Sequence, residues 1–224
     1  RPVKWTCERV EAFLSDYQGR DLTVEAELAL DENGNFLAIR GRNLSNLGAQ
    51  AASFVSLQKG LGLMSGVYRI PAAHFRGFGA VTNTVPTTPY RSAGRPEVMF
   101  VLERLIDIAA DELGLDPVAL RRRNMIPTTA QPFTNPLGIT YDSGDYPAAM
   151  DRALVLSDWA GFPARREVAK RRGQLRGIGI ANYVEITSGF PRERAEITVK
   201  PEGRVELVMG RACQRAAART RAAR

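Results

Sequence analysis

Thr88-Pro89-Tyr90-Arg91-Ser92-Ala93-Gly94-Arg95-Pro96-Glu97 is a donor-rich loop that runs directly into a periodic segment. From Glu97 to Leu113 the apolar residues Val98, Leu102, Leu105, Ala109 and Leu113 recur every three or four positions, with Glu103, Arg104, Asp107, Asp111 and Glu112 between them. That spacing predicts a helix with a core-facing stripe. Pro96 suits a first helical turn, where its missing N–H costs nothing, and Glu97 suits the positive end of the helix dipole. Gly94 permits a positive φ or a close backbone approach, and Arg91 and Arg95 carry planar donor forks suited to phosphate, carboxylate or a polar cofactor ring. Local chemistry leaves two readings open: a tight turn with surface arginines, or a loop that holds an anion or cofactor.

Upstream, Leu22, Val24, Ala26, Leu28 and Leu30 alternate with Thr23, Glu25, Glu27 and Ala29, predicting a strand with one buried face. Asp31-Glu32-Asn33-Gly34-Asn35 reads as a turn and 36–42 as the returning strand of a hairpin. Residues 44–68 have weak periodicity, and 70–89 read as extended or looped. Downstream, Asp116 caps a helix that begins at Pro117 and ends in Arg121-Arg122-Arg123-Asn124, where positive charge is favoured as a solvated face or as salt-bridge partners. The proline and glycine texture of 125–142 predicts a connector and a domain boundary. Helices are expected over 146–159 and 164–172, a strand over 177–187, and a hairpin from 195–199 and 205–208 around Pro201-Glu202-Gly203. The fold class is α+β, with mixed sheets and helices.

A chain of 224 residues with 44% hydrophobic content can bury a real core. No run approaches the length of a membrane span, and nucleic-acid binding is not expected: five of the 31 basic residues and none of the 24 acidic ones fall in 211–224, so the formal charge of +7 belongs largely to that tail. Cys7 and Cys213 lack metal-ligand spacing. His74, the single histidine, excludes a His-rich metal site, and the Gly60-Leu61-Gly62 and Gly77-Phe78-Gly79 segments fit neither a dinucleotide fingerprint nor a phosphate-binding Walker loop. Asp16 and Glu185 are isolated candidates for acid or base work. The start, Arg1-Pro2-Val3-Lys4-Trp5, lacks a signal-peptide pattern and a methionine, so a piece of a longer cytoplasmic protein is expected.

Several segments in order carry a resemblance: Trp5 in its 1–6 context, Phe13-Leu14-Ser15-Asp16-Tyr17-Gln18-Gly19-Arg20-Asp21, Asn46-Leu47-Gly48-Ala49, Thr82-Asn83-Thr84-Val85-Pro86, the 90–97 loop, and Arg121-Arg122-Arg123-Asn124. Over residues 1–210 the chain resembles the molybdenum-binding large subunit of the xanthine dehydrogenase and aldehyde oxidase family, especially its aerobic carbon-monoxide-dehydrogenase-like branch. The resemblance implies a partial molybdopterin-binding subunit, with 1–127 part of a first molybdopterin-binding domain, 128–144 a connector, 145–210 the start of a second domain, and 211–224 an atypical basic tail. It implies a parent molybdenum-dependent oxidoreductase that hydroxylates a small aldehyde or heterocycle with water-derived oxygen. The cofactor would be a molybdenum-pterin group in its cytosine dinucleotide form. Electrons would pass to an iron-sulfur small subunit and an FAD-binding medium subunit, in a dimer of heterotrimers.

By the same resemblance Arg91, Ser92 and Gly94 face the cofactor, and Ala93 and Lys59 lie on the substrate side. Ser92 stands where true carbon monoxide dehydrogenases carry a copper-binding cysteine; a hydroxyl is a poor ligand for Cu(I). Ala93 stands in place of a substrate-stacking phenylalanine, and Lys59 in place of an arginine. Phe75-Arg76-Gly77-Phe78-Gly79 offers a competing register, disfavoured because no Pro-Glu helix entry follows it. After Met209-Gly210 the family's Gly-Gln-Gly-His-Glu-Thr segment is replaced by the arginine-alanine tail, and the family's catalytic glutamate is absent. No residue is therefore assigned a catalytic or metal-ligating role, and the isolated chain is expected to be inactive. A noncatalytic basic domain that binds a protein or polyanion is the alternative.

Overall fold

A computed structural model of the chain describes residues 3–185 and 195–209. After a short helix α1 (Arg9–Ser15), which buries none of its residues, the alternating segment forms strand β1 (Leu22–Leu30), half-buried on its apolar side. The Asp31 carboxylate closes the turn by accepting the backbone N–H of Asn33 (2.9 Å) and Asn35 (2.8 Å) and the Asn35 side-chain amide (2.7 Å). The returning strand β2 (Phe36–Gly48) runs beyond the expected 36–42, because it pairs with β1 as far as Leu22↔Ser45 and in parallel with β3 (Ala72–Val81) from Ala38↔Ala72 to Gly48↔Val81. A parallel neighbour needs a crossover, which residues 49–71 supply with α2 (Val55–Leu61). The three-stranded sheet has the order β1-β2-β3.

The long helix α3 (Arg95–Leu113) packs its buried residues with Phe36 and Ile39 of β2 and with Met64, Val67, Tyr68 and Ile70 of the crossover. Each fully buried side chain of this kind contributes about 1.5–3 kcal/mol. The buried stripe is rotated from the expected one: Val98, Leu102 and Ala109 are joined by Met99, Ile106 and Ala110, while Leu105 is half-buried and Leu113 exposed. Glu103, expected on a polar face, is 5% exposed because a second helix brings it a partner. Gly114 ends α3 at φ 64°, and Asp116 accepts from the Ala119 N–H (2.7 Å) to start α4 (Pro117–Asn124), as its cap and proline predict.

From α4, fully buried Arg121 donates Nε to Glu103 Oε2 (2.7 Å) and Nη2 to Asp107 Oδ1 (2.8 Å) and the Glu103 carbonyl (3.1 Å). Tyr68 donates to the other Glu103 oxygen (2.7 Å). Burial, and then the adjacent Glu103 carboxylate, push the Tyr68 phenol well above its ordinary range, so it remains a donor. Of the arginine run, Arg121 and Arg122 are thus salt-bridge partners, Arg122 reaching Asp151. Asn124 accepts from the Phe36 N–H (2.8 Å) and donates to the Gly34 carbonyl (2.9 Å), which ties the hairpin turn to α4.

Beyond α4 come a 3-10 turn (Thr128–Ala130), the strand pair β4 (Phe133–Thr134) and β5 (Thr140–Tyr141), and helices α5 (Tyr146–Leu156) and α6 (Phe162–Arg171). Tyr141 is buried and donates to the Gly66 carbonyl (2.6 Å). The strand expected over 177–187 does not form at 177–185; Ile180 and Val184 pack on the core, and Asn182 donates to the Tyr68 hydroxyl (3.0 Å). Residues 186 and 187 lie outside the described residues, as does the 211–224 tail. Residues Arg1–Glu185 make one compact unit and Ile186–Arg224 a second. In the second, β6 (Ala195–Val199) and β7 (Val205–Met209) form the anticipated antiparallel pair. No helix among the described residues is long and apolar enough to cross a membrane.

Replacing Glu103 by alanine leaves Arg121 charged, buried and short of its partner, so urea unfolding is expected to show a loss of about 3–5 kcal/mol. The double change Glu103→Leu with Arg121→Met should lose much less; equal losses would show that the ion pair is not what the core depends on.

Candidate functional site

Three consecutive residues ahead of α3 have left-handed backbones: Ser92 (φ 60°), Ala93 (φ 36°) and Gly94 (φ 87°). Non-glycine residues avoid this region, so the surrounding structure must hold the loop there. The grip comes first from α2. A Cβ on Gly94 would lie 2.0 Å from the Ser56 carbonyl oxygen, and one on Gly60 would lie 2.6 Å from the Gly94 carbonyl oxygen. Only two glycines allow backbones to approach this closely. Within the loop, Ala93 N–H donates to the Tyr90 carbonyl (3.2 Å) and Arg95 N–H to the Ser92 carbonyl (3.3 Å).

Segments far apart in sequence converge behind the loop. Asn46 accepts from the Thr82 hydroxyl (2.7 Å) and donates to Asp21 Oδ2 (2.8 Å) and the Thr84 hydroxyl (2.9 Å). Gly48, at φ 75°, lets Val85 and Pro86 fold against its backbone. Gln18 N–H donates to the Pro86 carbonyl (3.2 Å), and Thr88 N–H donates to the Gln18 carbonyl (2.9 Å). Next to this bridge Arg20, itself left-handed at φ 59°, donates to the carbonyls of Arg91 (2.7 Å) and Tyr90 (3.3 Å) and to Glu97 Oε2 (3.0 Å).

On the helix side, buried Arg95 pairs with Glu185 (2.6 Å), and Tyr183 donates to the second Glu185 oxygen (2.7 Å). Burial raises the Tyr183 phenol, with the Ser92 hydroxyl opposing and the Glu185 carboxylate adding to the shift. The loop's polar side chains therefore differ in what they are committed to. Arg95 is held in the base of the site, whereas Arg91 is exposed, lies 5.9 Å from the Tyr90 ring centroid and enters no ion pair among the described residues. An exposed five-donor fork on a rigid loop suits an oxygen-rich anionic group.

Of the residues singled out in the sequence, Arg91, Ser92, Ala93 and Gly94 are contiguous in this loop, and Lys59 is exposed on α2 next to Gly60, whose backbone meets Gly94. The competing 75–79 register lies inside β3, with Arg76 opposite Arg42 in regular pairing. His74 and Asp16 are exposed, and no cluster of three metal-ligating side chains exists among the described residues. Reading the residues one at a time misses Arg20 and Tyr183 and leaves Glu185 isolated. No local pattern announces a left-handed arginine whose partners lie some 70 positions away.

Comparison with known proteins finds relatives over most of the chain. Residues 1–125 match the family described as molybdopterin cofactor-binding domain. The chain is 33% identical over 207 residues to the carbon monoxide dehydrogenase large chain of Hydrogenophaga pseudoflava, covering 88% of this chain and 26% of that one. It is 31% identical over 217 residues to the 6-hydroxypseudooxynicotine dehydrogenase complex subunit gamma of Paenarthrobacter nicotinovorans, covering 93% and 27%. Among solved structures, quinoline 2-oxidoreductase from Pseudomonas putida 86 superposes with a TM-score of 0.82 at 30% identity, covering 91% of this chain and 28% of that one. The chain thus spans about a quarter of the length of the curated relatives it matches.

Gly94→Ala would force a methyl group into the Ser56 carbonyl and strain a left-handed backbone. A loss of more than about 2 kcal/mol in chemical denaturation is expected. Gly114→Ala, also at positive φ but with open space around it, should cost only about 1 kcal/mol. Similar costs at the two sites would mean that the contact with α2 is not what fixes the loop.

Proposed function

The chain belongs to the molybdopterin cofactor-binding domain family and is homologous to the large subunits of xanthine and carbon monoxide dehydrogenases, and from that premise we propose that it is the cofactor-loop portion of a molybdenum hydroxylase large subunit. The observation that carries the reading is the left-handed 92–94 loop, which presents an exposed Arg91 fork that enters no ion pair among the described residues, while Arg95 is paired with Glu185. The donor chemistry fits the group: Arg91 can donate two parallel hydrogen bonds to its oxygen-rich edge, and Gly94 keeps the backbone low.

When bound, the molybdenum-pterin cofactor, in this reading its cytosine dinucleotide form, supplies the redox chemistry of hydroxylation with water-derived oxygen. The chain's own contribution is to bind and orient. Arg91 would donate to the cofactor and Ser92 would stand beside it, while Ala93 would leave room on the substrate side and Lys59 would supply a positive charge there. A hydroxyl at 92 is a hard, weak donor for Cu(I), which favours a small aldehyde or heterocycle over carbon monoxide as the substrate. The similarity to a quinoline oxidoreductase supports the heterocycle.

The parent would work in the cytoplasm beside an iron-sulfur small subunit and an FAD-binding medium subunit, as a dimer of heterotrimers. Exposure of Trp5, Phe13 and Leu14 at 69%, 73% and 75% supports packing against further protein. The family match at 1–125 supports taking 1–127 as part of a first molybdopterin-binding domain; in this reading 128–144 is a connector and 145–210 the start of the next domain, although 128–185 belongs to the same compact unit as 1–127.

In the large subunit that carries this sequence, Arg91→Ala should lower molybdenum content measured by elemental analysis by about tenfold, the equivalent of one lost charge-assisted contact, with little change in unfolding midpoint. Full molybdenum content in that variant would remove Arg91 from the cofactor site.

A further inference from the structure

We propose that Arg20 is a positioning residue that sets the 90–94 loop in its bound shape before any cofactor arrives, a role that rests on the cofactor reading above. Arg20 lies between two anchored neighbours. Gln18 is bridged to Pro86 and Thr88, and Asp21 is bonded to Asn46 through both its carbonyl (3.0 Å) and its carboxylate (2.8 Å). The backbone between these anchors is left-handed at Arg20, a conformation that costs a non-glycine residue about 1 kcal/mol or more. A glycine would fit there without cost, so the side chain must return something for the strain.

What it returns is a single group that grips both ends of the loop entrance. Nη2 donates to the carbonyls of Tyr90 and Arg91, and Nη1 donates to Glu97 in the first turn of α3. The guanidinium also lies 5.5 Å from the centroid of the Tyr90 ring. The carbonyl it holds most tightly, at 2.7 Å, is that of Arg91, so Arg20 fixes the backbone from which the cofactor-facing fork projects. Lysine could keep the charge toward Glu97 but could not span the two carbonyls and the carboxylate with one planar group. On its other side the loop is limited by the Gly60–Gly94 contact, so Arg20 and α2 close on it from two directions. A preorganised loop binds without first losing conformational freedom, which is where its contribution to cofactor retention would lie.

Arg20→Gly removes the fork and relieves the left-handed backbone, so it separates positioning from stability. In the full chain without cofactor, the Ala93 and Arg95 amides of this variant should exchange with deuterium about tenfold faster than in the wild type, while the amides of β1, β2 and β3 keep their wild-type exchange. Arg20→Lys should fall between the two, and it serves as the reading if the glycine variant does not fold. In the large subunit, molybdenum content should fall in the same order. Wild-type exchange at Ala93 and Arg95 in Arg20→Gly overturns the proposal whatever the metal content, and faster exchange with full molybdenum content also overturns it. Full molybdenum in Arg91→Ala would instead defeat the cofactor reading and leave the exchange result standing.

Discussion

Two glycine backbones in contact, Gly60 of α2 and Gly94 at the start of α3, join the sheet to the site. Helix α2 belongs to the crossover between parallel strands, so its position follows from the pairing of β2 with β3. Helix α3 is placed by burying Val98, Leu102 and Ile106 on that same unit. Where the two helices meet, no side chain fits, and the chain entering α3 must take a left-handed path. The exposed arginine fork is a consequence of that path. Moving Gly94 outward by a methyl group would move the base of Arg91 with it.

The buried Arg121–Glu103–Tyr68 cluster does for α3 what the glycines do for its N-terminus. Hydrophobic burial alone is tolerant of rotation about a helix axis, since a neighbouring apolar residue can replace one that turns away. A buried guanidinium with a carboxylate, a second acid and a backbone carbonyl as fixed partners has no such freedom. This explains why the observed stripe is rotated toward Met99, Ile106 and Ala110: Glu103 must face inward to meet Arg121 from α4. Asn124 then passes the constraint to the β1–β2 turn.

Features with local causes were legible in the sequence. Alternation marked β1, the Asp31 turn chemistry marked the hairpin, and Pro96 with Glu97 and Asp116 with Pro117 marked two helix starts. What depended on distant partners was not legible. The length of β2 past Ser45 required β3; the burial of Glu103 required Arg121; and the 177–185 run forms no strand but packs Ile180 and Val184 against the core. The loop itself is legible from local chemistry, but the cofactor role proposed for it rests on the order of several segments. The structure gives that order a physical sense, because 18–21, 46–49 and 82–88 are in contact behind the loop. Arg20 stands within one of those segments, but nothing local reveals its φ or its partners.

The most direct test of the account is a residue-level comparison of amide exchange in the large subunit with and without its molybdenum-pterin cofactor. Protection that appears on loading at Arg91–Arg95, and not at Phe75–Gly79, is the result expected from a loop held open for that group. Protection at Phe75–Gly79 with none at Arg91–Arg95 would contradict it.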